Sequence, residues 1–490
     1  MIDFKTASTV AAERIPAEYS RHAPFHPDQP YPEYAGPVGT EPNAVYAGVR
    51  QLLFDLGLDR DAFGTAAWNP LGALIKPGQQ VVLKPNIVLH TNYSGQSVEA
   101  VITHGSVIRA VADYALKALQ GTGKLIIGDA PVQQCDFAAA NRLSGLEGVV
   151  AYYRERGLPV ALHDFRMVSS AHSVAGVRKA SAGDPAGCMR VDLGAASAHA
   201  DANDHERFRV TNYDPAFMQR HHNATKHEYI IATSVLQADA IISLGKMKTH
   251  RKAGISITLK NLVGINGHKD CLPHHKRGSK AEAGDEYLHP SWIKRLTTGV
   301  QEIEDVQSSA LARLAIKAPK KLLYSLSFAL AEDRYSEGSW WGNDTIWRTV
   351  IDLNRILFYW DARRGQLADS PQRAFLSLVD GVIAGEGEGP LHPTPRPAGL
   401  LLAGLNPVAV DLTAARLMDF DWRKIPTLAQ AASIFADFPP EDIHIESADA
   451  GLRGLLLQEE QTRYFSFVPP SGWRGHLELK KAAPEGSMKG

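Results

Sequence analysis

The chain is poor in cysteine and has no excess of charge of either sign. Its 490 residues include three cysteines, Cys135, Cys188 and Cys271, and no two of them have the spacing of metal ligands. We therefore expect no iron–sulfur cluster and no disulfide framework, and infer a reducing compartment. Lys and Arg total 52 against 53 Asp and Glu. This balance gives no reason to expect binding to nucleic acid or to a membrane surface through overall charge.

Long hydrophobic runs and the common cofactor motifs are also missing. The most apolar stretch, residues 399–410, is too short to cross a membrane and contains a proline. The N-terminus lacks the basic start and apolar core of a secretory signal. There is no G-x-G-x-x-G, Walker or G-x-S-x-G motif. The sequence thus predicts a cytoplasmic protein without membrane contact and gives no standard NAD, ATP or hydrolase assignment.

Strand and helix patterns alternate along the middle of the chain. A β-branched run at 80–88, helical spacing at 106–119 and an apolar run at 124–128 predict a βαβ unit with two parallel strands. Further buried strands are expected at 239–244 and 375–379. The predicted fold class is α/β, with mainly parallel sheet or sheets, flanking helices and two lobes around a cleft. The predicted parts are an extended N-terminal arm (1–45), a first α/β lobe (46–265) with an irregular excursion (166–228), a loop-rich and helical insertion (266–345), a second α/β portion (346–435) and a closing segment (436–490).

Basic and amide side chains follow several of these strands. In an open parallel sheet, ligands bind beyond the carboxyl ends of the strands, so these groups should meet in one crevice. Lys246, Lys248 and His250 alternate along the chain and should point to one side, where they could hold a phosphate or carboxylate. A solvated, lysine-rich strand end is the alternative. Lys260 lies in an apolar segment, where an unpaired ammonium is costly, so it should have a ligand or a carboxylate as partner. We predict catalytic roles for His250, Lys248 and Asp129, and substrate binding by Lys84, Asn86, Lys246, Lys260 and Asn261.

Carboxylates form a second set of candidates. The segment DGVIAGEGEGP, residues 380–390, places acidic side chains among glycines, and carboxylate oxygens suit a hard cation such as Mg²⁺. We predict Asp380, Glu386 and Asp411 as ligands of Mg²⁺ or another divalent metal. A glycine-rich turn with solvated glutamates, and for Asp411 a favourable interaction with its own helix dipole, are the alternatives. Histidine is enriched between residues 221 and 289 without zinc-site spacing, and most of these rings are expected to be solvated.

Six segments, in this order, resemble the family catalogued as domain of unknown function 362. They are VVLKPNIV, THGSVIRAVADYAL, KLIIGDAP, DAIISLGKMKTHRKAGISITLKNLVGI, LVDGVIAGEGEGP and LAGLNPVAVDLTAARLM. The resemblance runs from about Val81 to Ile425. Some members of that family carry a ferredoxin-like cysteine cluster. This chain lacks those cysteines, so their electron-transfer role does not carry over to it.

A weaker similarity links the chain to the nickel-pincer lactate racemases. The segment DAIISLGKMKTH places His250 where that family has a comparable residue, while the other catalytic histidines of the racemases have no counterpart. The similarity implies an architecture of two α/β lobes around a cleft. It does not by itself imply nickel, which stays open.

We expect an enzyme that acts on an anionic, phosphorylated or carboxylate small molecule, with His250 as the first candidate for proton transfer because its ordinary pKa is near 6.5. Transferase and isomerase chemistry both stay open. Two alternatives are a racemase-like enzyme that shuttles a proton on a carboxylate substrate and a non-catalytic protein that binds an anion. Nucleic acid is disfavoured because the basic loop 266–280 has few aromatic residues for base stacking. A homo-oligomer stays open.

Overall fold

The computed structural model describes residues 3–455, 457–459 and 462–479. Its strands are β1 (Thr9–Arg14), β2 (Gln80–Pro85), β3 (Lys124–Asp129), β4 (Val160–Asp164), β5 (Val168–Ser169), β6 (Lys179–Ala180), β7 (Cys188–Asp192), β8 (Phe208–Arg209), β9 (His222–Asn223), β10 (Lys226–Ala232), β11 (Ala240–His250), β12 (Gly254–Ser256), β13 (His275–Lys276), β14 (Trp360–Asp361), β15 (Gln366–Leu367), β16 (Ala374–Glu388), β17 (His392–Gly404) and β18 (His444–Glu446). Its helices are α1 (Ala44–Asp55), α2 (Gly105–Leu119), α3 (Phe137–Leu143), α4 (Leu146–Glu155), α5 (Pro215–His221), α6 (Thr233–Leu236), α7 (Thr258–Asn261), α8 (Trp292–Asp305), α9 (Ala310–Leu330), α10 (Ile346–Tyr359), α11 (Pro407–Leu417) and α12 (Pro426–Phe435). Within these ranges, no helix combines the length and the apolar character needed to cross a membrane.

One large, mostly parallel sheet organises the fold. Its strand order is β18-β1-β17-β16-β11-β2-β3-β4, with β12 paired to β11. The neighbours from β16 to β4 run parallel, whereas β17 runs antiparallel to both β16 and β1. The predicted βαβ unit is confirmed, since β2 and β3 are adjacent and parallel. The predicted α/β class is confirmed as well.

The two-lobe prediction is not confirmed. Strand β11 comes from the expected first lobe and β16 from the expected second portion, yet they pair directly, with Ile241 opposite Phe375. The expected irregular N-terminal arm also contributes β1, which pairs with β17 and β18. Long-range pairing of short segments therefore unites parts that the sequence suggests are separate.

Both faces of this sheet are covered by helices. Along β2, Val81 and Leu83 pack into one core with α1, α2 and α4, while Val82 packs into the other core with α10, α11 and α12. This alternation follows from the two-residue period of a strand. With both faces buried, the strand ends are where the sheet can meet a ligand.

The glycine-rich segment 380–388 is strand rather than turn. It continues β16 and pairs with β17, Glu386 lying opposite Thr394. Helix α11 begins at Pro407, and Asn406 caps it by accepting from the backbone N–H groups of Val408 and Ala409. The glycines here serve close backbone packing: a Cβ on Gly389 would lie 2.1 Å from the Thr249 carbonyl oxygen.

Candidate functional site

The carboxyl ends of β16, β11, β2 and β3 lie side by side and bring remote polar residues together. Lys84 Nζ lies 2.8 Å from Asp129 Oδ1, and Lys246 Nζ lies 3.1 Å from Asp380 Oδ2. These groups meet at one edge of the sheet, as expected for parallel strands. The sequence does not reveal that they neutralise one another in pairs.

Lys84 belongs to a buried hydrogen-bond network. Its ammonium donates to Asn261 Oδ1 at 2.9 Å, and the same oxygen accepts from Asn86 Nδ2 at 3.1 Å. Asp129 Oδ2 accepts from the backbone N–H of Ile87 at 2.7 Å. Burial lowers the pKa of Lys84, and the nearby Asp129 carboxylate opposes this shift. The network fixes the side chains of Asn86, Asn261 and Asp129 before any ligand binds.

Lys246 is engaged in a second buried pair. Besides Asp380, its ammonium donates to the Tyr19 hydroxyl at 2.7 Å, and that hydroxyl donates to Asp380 at 2.6 Å. The backbone N–H of His104 donates to the other Asp380 oxygen at 3.0 Å. Lys246 and Asp380 are buried and satisfied by protein groups, so both act within the fold and not on its surface.

Lys248 is also buried inside the protein. Its ammonium donates to Asn86 Oδ1 at 2.6 Å and to the Val101 carbonyl at 2.5 Å. Burial, followed by repulsion from neighbouring lysines, lowers its pKa well below the ordinary value. The predicted cradle of Lys246, Lys248 and His250 is therefore wrong, because of the three only His250 reaches the cavity wall.

A cavity of about 360 Å³ opens beyond these strand ends. Of the predicted catalytic and binding residues, those on its wall are Asn86, Asp129, His250, Lys260 and Asn261. Its cationic wall residues are Arg251, Lys252, Lys260 and Lys269, and its carboxylates are Asp129 and Glu337. Because Lys84 already neutralises Asp129, the cavity has a net positive lining.

Lys260 lies on this wall without a counterion from the described ranges. Within the described residues no carboxylate faces its ammonium, and the charges acting on it, Lys252 and Lys84, are both repulsive. Burial and this repulsion lower its pKa from 10.5 to about 7. The sequence predicts a ligand or a carboxylate as its partner, and the part of the chain that the structure describes provides no carboxylate.

Two further lysines on the wall were not among the predicted site residues. Lys252 Nζ donates to Thr211 Oγ1 at 3.2 Å, and Lys269 Nζ donates to the Val263 carbonyl at 3.1 Å. Burial lowers the pKa of Lys252 to about 8 and that of Lys269 to about 7. Lys269 lies in the long His- and Lys-rich loop, whose length was the available signal, since such loops are usually functional or mobile.

His250 is held as a neutral ring. Its Nδ1 accepts from the backbone N–H groups of Lys252 and Ala253 at 3.1 and 3.2 Å, which assigns the proton to Nε2. Burial, and then the charge of Lys260, lowers its pKa well below 6.5. His250 is thus a hydrogen-bond donor at neutral pH, and Lys260 has the pKa better suited to proton transfer.

Several histidines expected to be solvated are in fact buried: His221, His222, His227 and His275. The His222 and His227 rings lie 5.6 Å apart, and burial lowers their pKa values to about 3 and about 4. His274 lines the cavity, and burial lowers its pKa well below 6.5. The basic segment around His275 is therefore part of the packed structure.

The three carboxylates predicted as metal ligands do not share a site. Asp380 pairs with Lys246, Glu386 accepts from the Val468 backbone N–H at 3.0 Å, and Asp411 accepts from the first backbone N–H groups of α7. In the described ranges, no group of three or more His, Cys, Asp or Glu side chains is arranged to hold a metal ion. A divalent cation stays a prediction from the sequence, without these ligands.

Comparison with known proteins gives a match to one family model, a distant sequence relative and a weakly similar solved structure. Residues 184–416 match the family described as a domain of unknown function, DUF362. A thylakoid-associated protein of Synechocystis sp. is 22% identical over 392 residues, covering 79% of this chain and 74% of that protein. A crystal structure of a Thermotoga maritima protein aligns at 10% identity with a TM-score of 0.31, over 71% of this chain. The chain spans about half of that second protein, 54% of its length.

Proposed function

We propose that this chain, whose residues 184–416 match the DUF362 family model, is an enzyme acting on an anionic small molecule in the cavity beyond β2, β3 and β11. The observation that supports this best is the unpaired ammonium of Lys260. Lys260 is half-buried on the cavity wall. A partly desolvated cation without a counterion is costly, and a lysine with a strongly shifted pKa in a cleft marks a candidate functional site. A bound phosphate or carboxylate would supply the missing negative charge.

The other wall residues suit the same ligand. Lys252 and Lys269 add positive charge on the cavity wall, and the neutral His250 offers an Nε2–H donor. The Asn86 amide is fixed by its bonds to Lys248 and Asn261, and among the described residues its Nδ2 makes one such bond, which leaves a second N–H to donate. Both Nδ2–H groups of Asn261 donate within the protein, so Asn261 supports the wall and adds no donor. Fixed donors around a cavity bind an anion without the entropic cost of ordering the site on binding.

Lys260 is the proposed acid–base group of the reaction. With a pKa of about 7 it can release or accept a proton near neutral pH, which general acid–base catalysis requires. Anion binding would raise that pKa by adding negative charge, so a substrate would set the protonation state of its own catalyst. This chemistry fits an isomerase or a transferase. Phosphate and carboxylate substrates share the recognition described here. A cytoplasmic location stays a prediction from the sequence, and the oligomeric state stays open.

The proposal is tested by thermal unfolding in the presence of anions. Inorganic phosphate, phosphorylated metabolites and simple carboxylates would be screened with and without Mg²⁺, because a ligand that binds only the folded state raises the midpoint. We expect at least one anion to stabilise the wild type and not the Lys260→Met variant. Lys124→Met, which changes an exposed lysine at the start of β3, is the matched control and should keep the shift.

Turnover of the stabilising compound would then be followed by NMR. Conversion by the wild type that Lys260→Met lacks supports the enzymatic proposal. Stabilisation without conversion would restrict the function to binding. If no anion stabilises the wild type, or if Lys260→Met keeps the full shift, the proposal is wrong.

A further inference from the structure

The hairpin formed by α8 and α9 exposes an unusual amount of apolar surface. Of the 14 large apolar side chains that are exposed in the described residues, ten lie on this hairpin: Trp292, Leu296, Ile303, Val306, Leu311, Leu314, Leu322, Tyr324, Leu326 and Leu330. Trp292 is 70% exposed and Leu311 is 79% exposed. Apolar residues scattered singly need no explanation, but a contiguous apolar face marks an interaction surface.

Several polar side chains of the same helices point inward. On α9, Arg313 is buried and donates to the Glu304 carbonyl at 2.7 Å, and Lys320 pairs with the Glu304 carboxylate. Ser327 is buried as well. A surface helix ordinarily turns its apolar stripe to the core and its polar face to water. In this hairpin the arrangement is partly reversed, since Arg313 and Ser327 are buried while leucines of the same helix are exposed.

A second cavity accounts for the polar inner face. It has a volume of about 360 Å³ and is lined from the hairpin side by polar groups that include Thr298, Gln301 and Lys320. Polar side chains facing this space stay hydrated or bonded to one another. The cavity does not explain why the leucines are exposed, because they lie on the outer face of the hairpin, away from it.

The outer face carries cations but no carboxylate of α9. That helix contains no Asp or Glu, and Lys317 and Lys321 are exposed next to its leucines. The acidic residues of α8 are turned away: Glu304 and Asp305 are buried, and Glu302 pairs with arginines. An apolar face with lysines at its margin complements a surface of acyl chains and negatively charged headgroups.

We propose that the α8–α9 hairpin lies on the surface of a membrane that contains anionic lipids. The leucines of α9 and Trp292 of α8 enter the boundary between headgroups and acyl chains, while Lys317 and Lys321 contact lipid phosphates. α9 carries too many charges to span a bilayer and lies in the plane of the interface. This proposal departs from the sequence prediction of no membrane contact, which came from the overall charge balance and the lack of a long apolar run.

Sedimentation of the full-length protein with vesicles tests the proposal. The vesicles would contain either phosphatidylcholine alone or phosphatidylcholine mixed with phosphatidylglycerol. We expect binding to the mixed vesicles and at least about tenfold weaker binding to the neutral ones, because each basic residue near an anionic surface adds to the attraction. Leu314→Gln combined with Leu322→Gln should weaken binding by about tenfold or more, since both leucines leave the lipid. Lys317→Glu combined with Lys321→Glu should remove the preference for anionic lipid.

Matched controls test whether vesicle binding depends on the hairpin or on exposed leucines and lysines in general. Leu143→Gln changes a similarly exposed leucine on α3, and Lys124→Glu changes an exposed lysine on β3; neither should alter binding. Circular dichroism and thermal midpoints would show that all variants stay folded. The proposal is overturned if the wild type ignores anionic vesicles, or if it binds them equally well with the hairpin changed. A lipid-free dimer that the leucine variant dissociates, without vesicle binding, would instead assign the face to a second copy of the chain.

Discussion

The Lys84 ammonium lies 2.8 Å from the Asp129 carboxylate, across the neighbouring strands β2 and β3. Asp129 lines the cavity and Lys84 lies behind it, almost fully buried. The charge of Asp129 is therefore compensated from inside the protein. The cationic character of the cavity then comes from Lys252, Lys260 and Lys269, none of which forms an ion pair in the described residues.

Gly264 makes this ion pair sterically possible. A Cβ at that position would lie 1.9 Å from Asp129 Oδ1 and 2.6 Å from Lys84 Nζ. We predict that Gly264→Ala forces the pair apart and lowers the free energy of unfolding by about 3 kcal/mol, as expected when a packed core is overfilled and a buried ion pair is disturbed. Urea denaturation measures the change.

Gly299→Ala is the control for that experiment. Gly299 lies in α8, and an added Cβ would have its nearest neighbour 3.9 Å away, at Arg277. Alanine is the better helix former by up to about 1 kcal/mol, so this variant should be as stable as the wild type or more so. Equal losses in the two variants would contradict the steric role of Gly264.

The stability of the ligand-free protein should rise with pH above neutrality. Lys260 titrates near 7 in the folded protein and near 10.5 when unfolded. Between these values the unfolded chain binds more protons, so the free energy of unfolding increases with pH. Lys252 and Lys269 act in the same direction, with folded pKa values of about 8 and about 7.

Lys260→Met isolates the contribution of one lysine to this effect. We predict that the variant is more stable than the wild type near pH 7, because it removes a half-buried unpaired charge, and that its stability rises less steeply up to about pH 9. Urea denaturation at several pH values gives both quantities. Identical pH slopes for the two proteins would show that Lys260 has an ordinary pKa.

Asp411 is predicted to position Lys260 through helix α7. Its carboxylate accepts from the backbone N–H groups of Thr258 and Leu259 at 2.8 and 3.0 Å, at the start of the helix that carries Lys260 and Asn261. Burial raises the pKa of Asp411 to about 7. Asp411→Asn keeps one acceptor oxygen and replaces the other by a donor, so it should cost about 1–2 kcal/mol of stability and weaken anion binding.

The Asp411 variant also discriminates between this role and metal binding. If Asp411 positions α7, anion binding should weaken to the same extent with and without Mg²⁺, as measured by calorimetric titration with the anion identified in the thermal screen. A loss seen only when Mg²⁺ is present would restore the earlier prediction of a metal ligand.

The sequence was sufficient to predict which strand ends meet. The apolar runs before Lys84, Asp129 and Lys246 predict buried parallel strands, and the carboxyl ends of such strands share one edge of a sheet. The sequence could not show that Lys246 pairs with Asp380 and donates to Tyr19, because Tyr19 comes from a segment with no strand or helix pattern. Such partners depend on packing between segments far apart in the chain.

Local patterns were misleading where the partner strand decides the conformation. The glycines of 380–388 suggest a turn, yet pairing with β17 keeps this segment extended. The alternation of Lys246, Lys248 and His250 predicts a common role, but the two lysines are engaged by partners from remote segments, Asp380 and Tyr19 for Lys246, and Asn86 and Val101 for Lys248. These partners leave no signal in the alternation itself.

The pKa of Lys260 tests the central claim most directly. Reductive methylation with ¹³C-formaldehyde makes each lysine visible by NMR, and comparison with Lys260→Arg assigns its signal. We predict a pKa of about 7 without ligand and a clear increase when the stabilising anion is added. A value near 10.5 that no anion changes would contradict an unpaired cation on the wall of an anion-binding cavity.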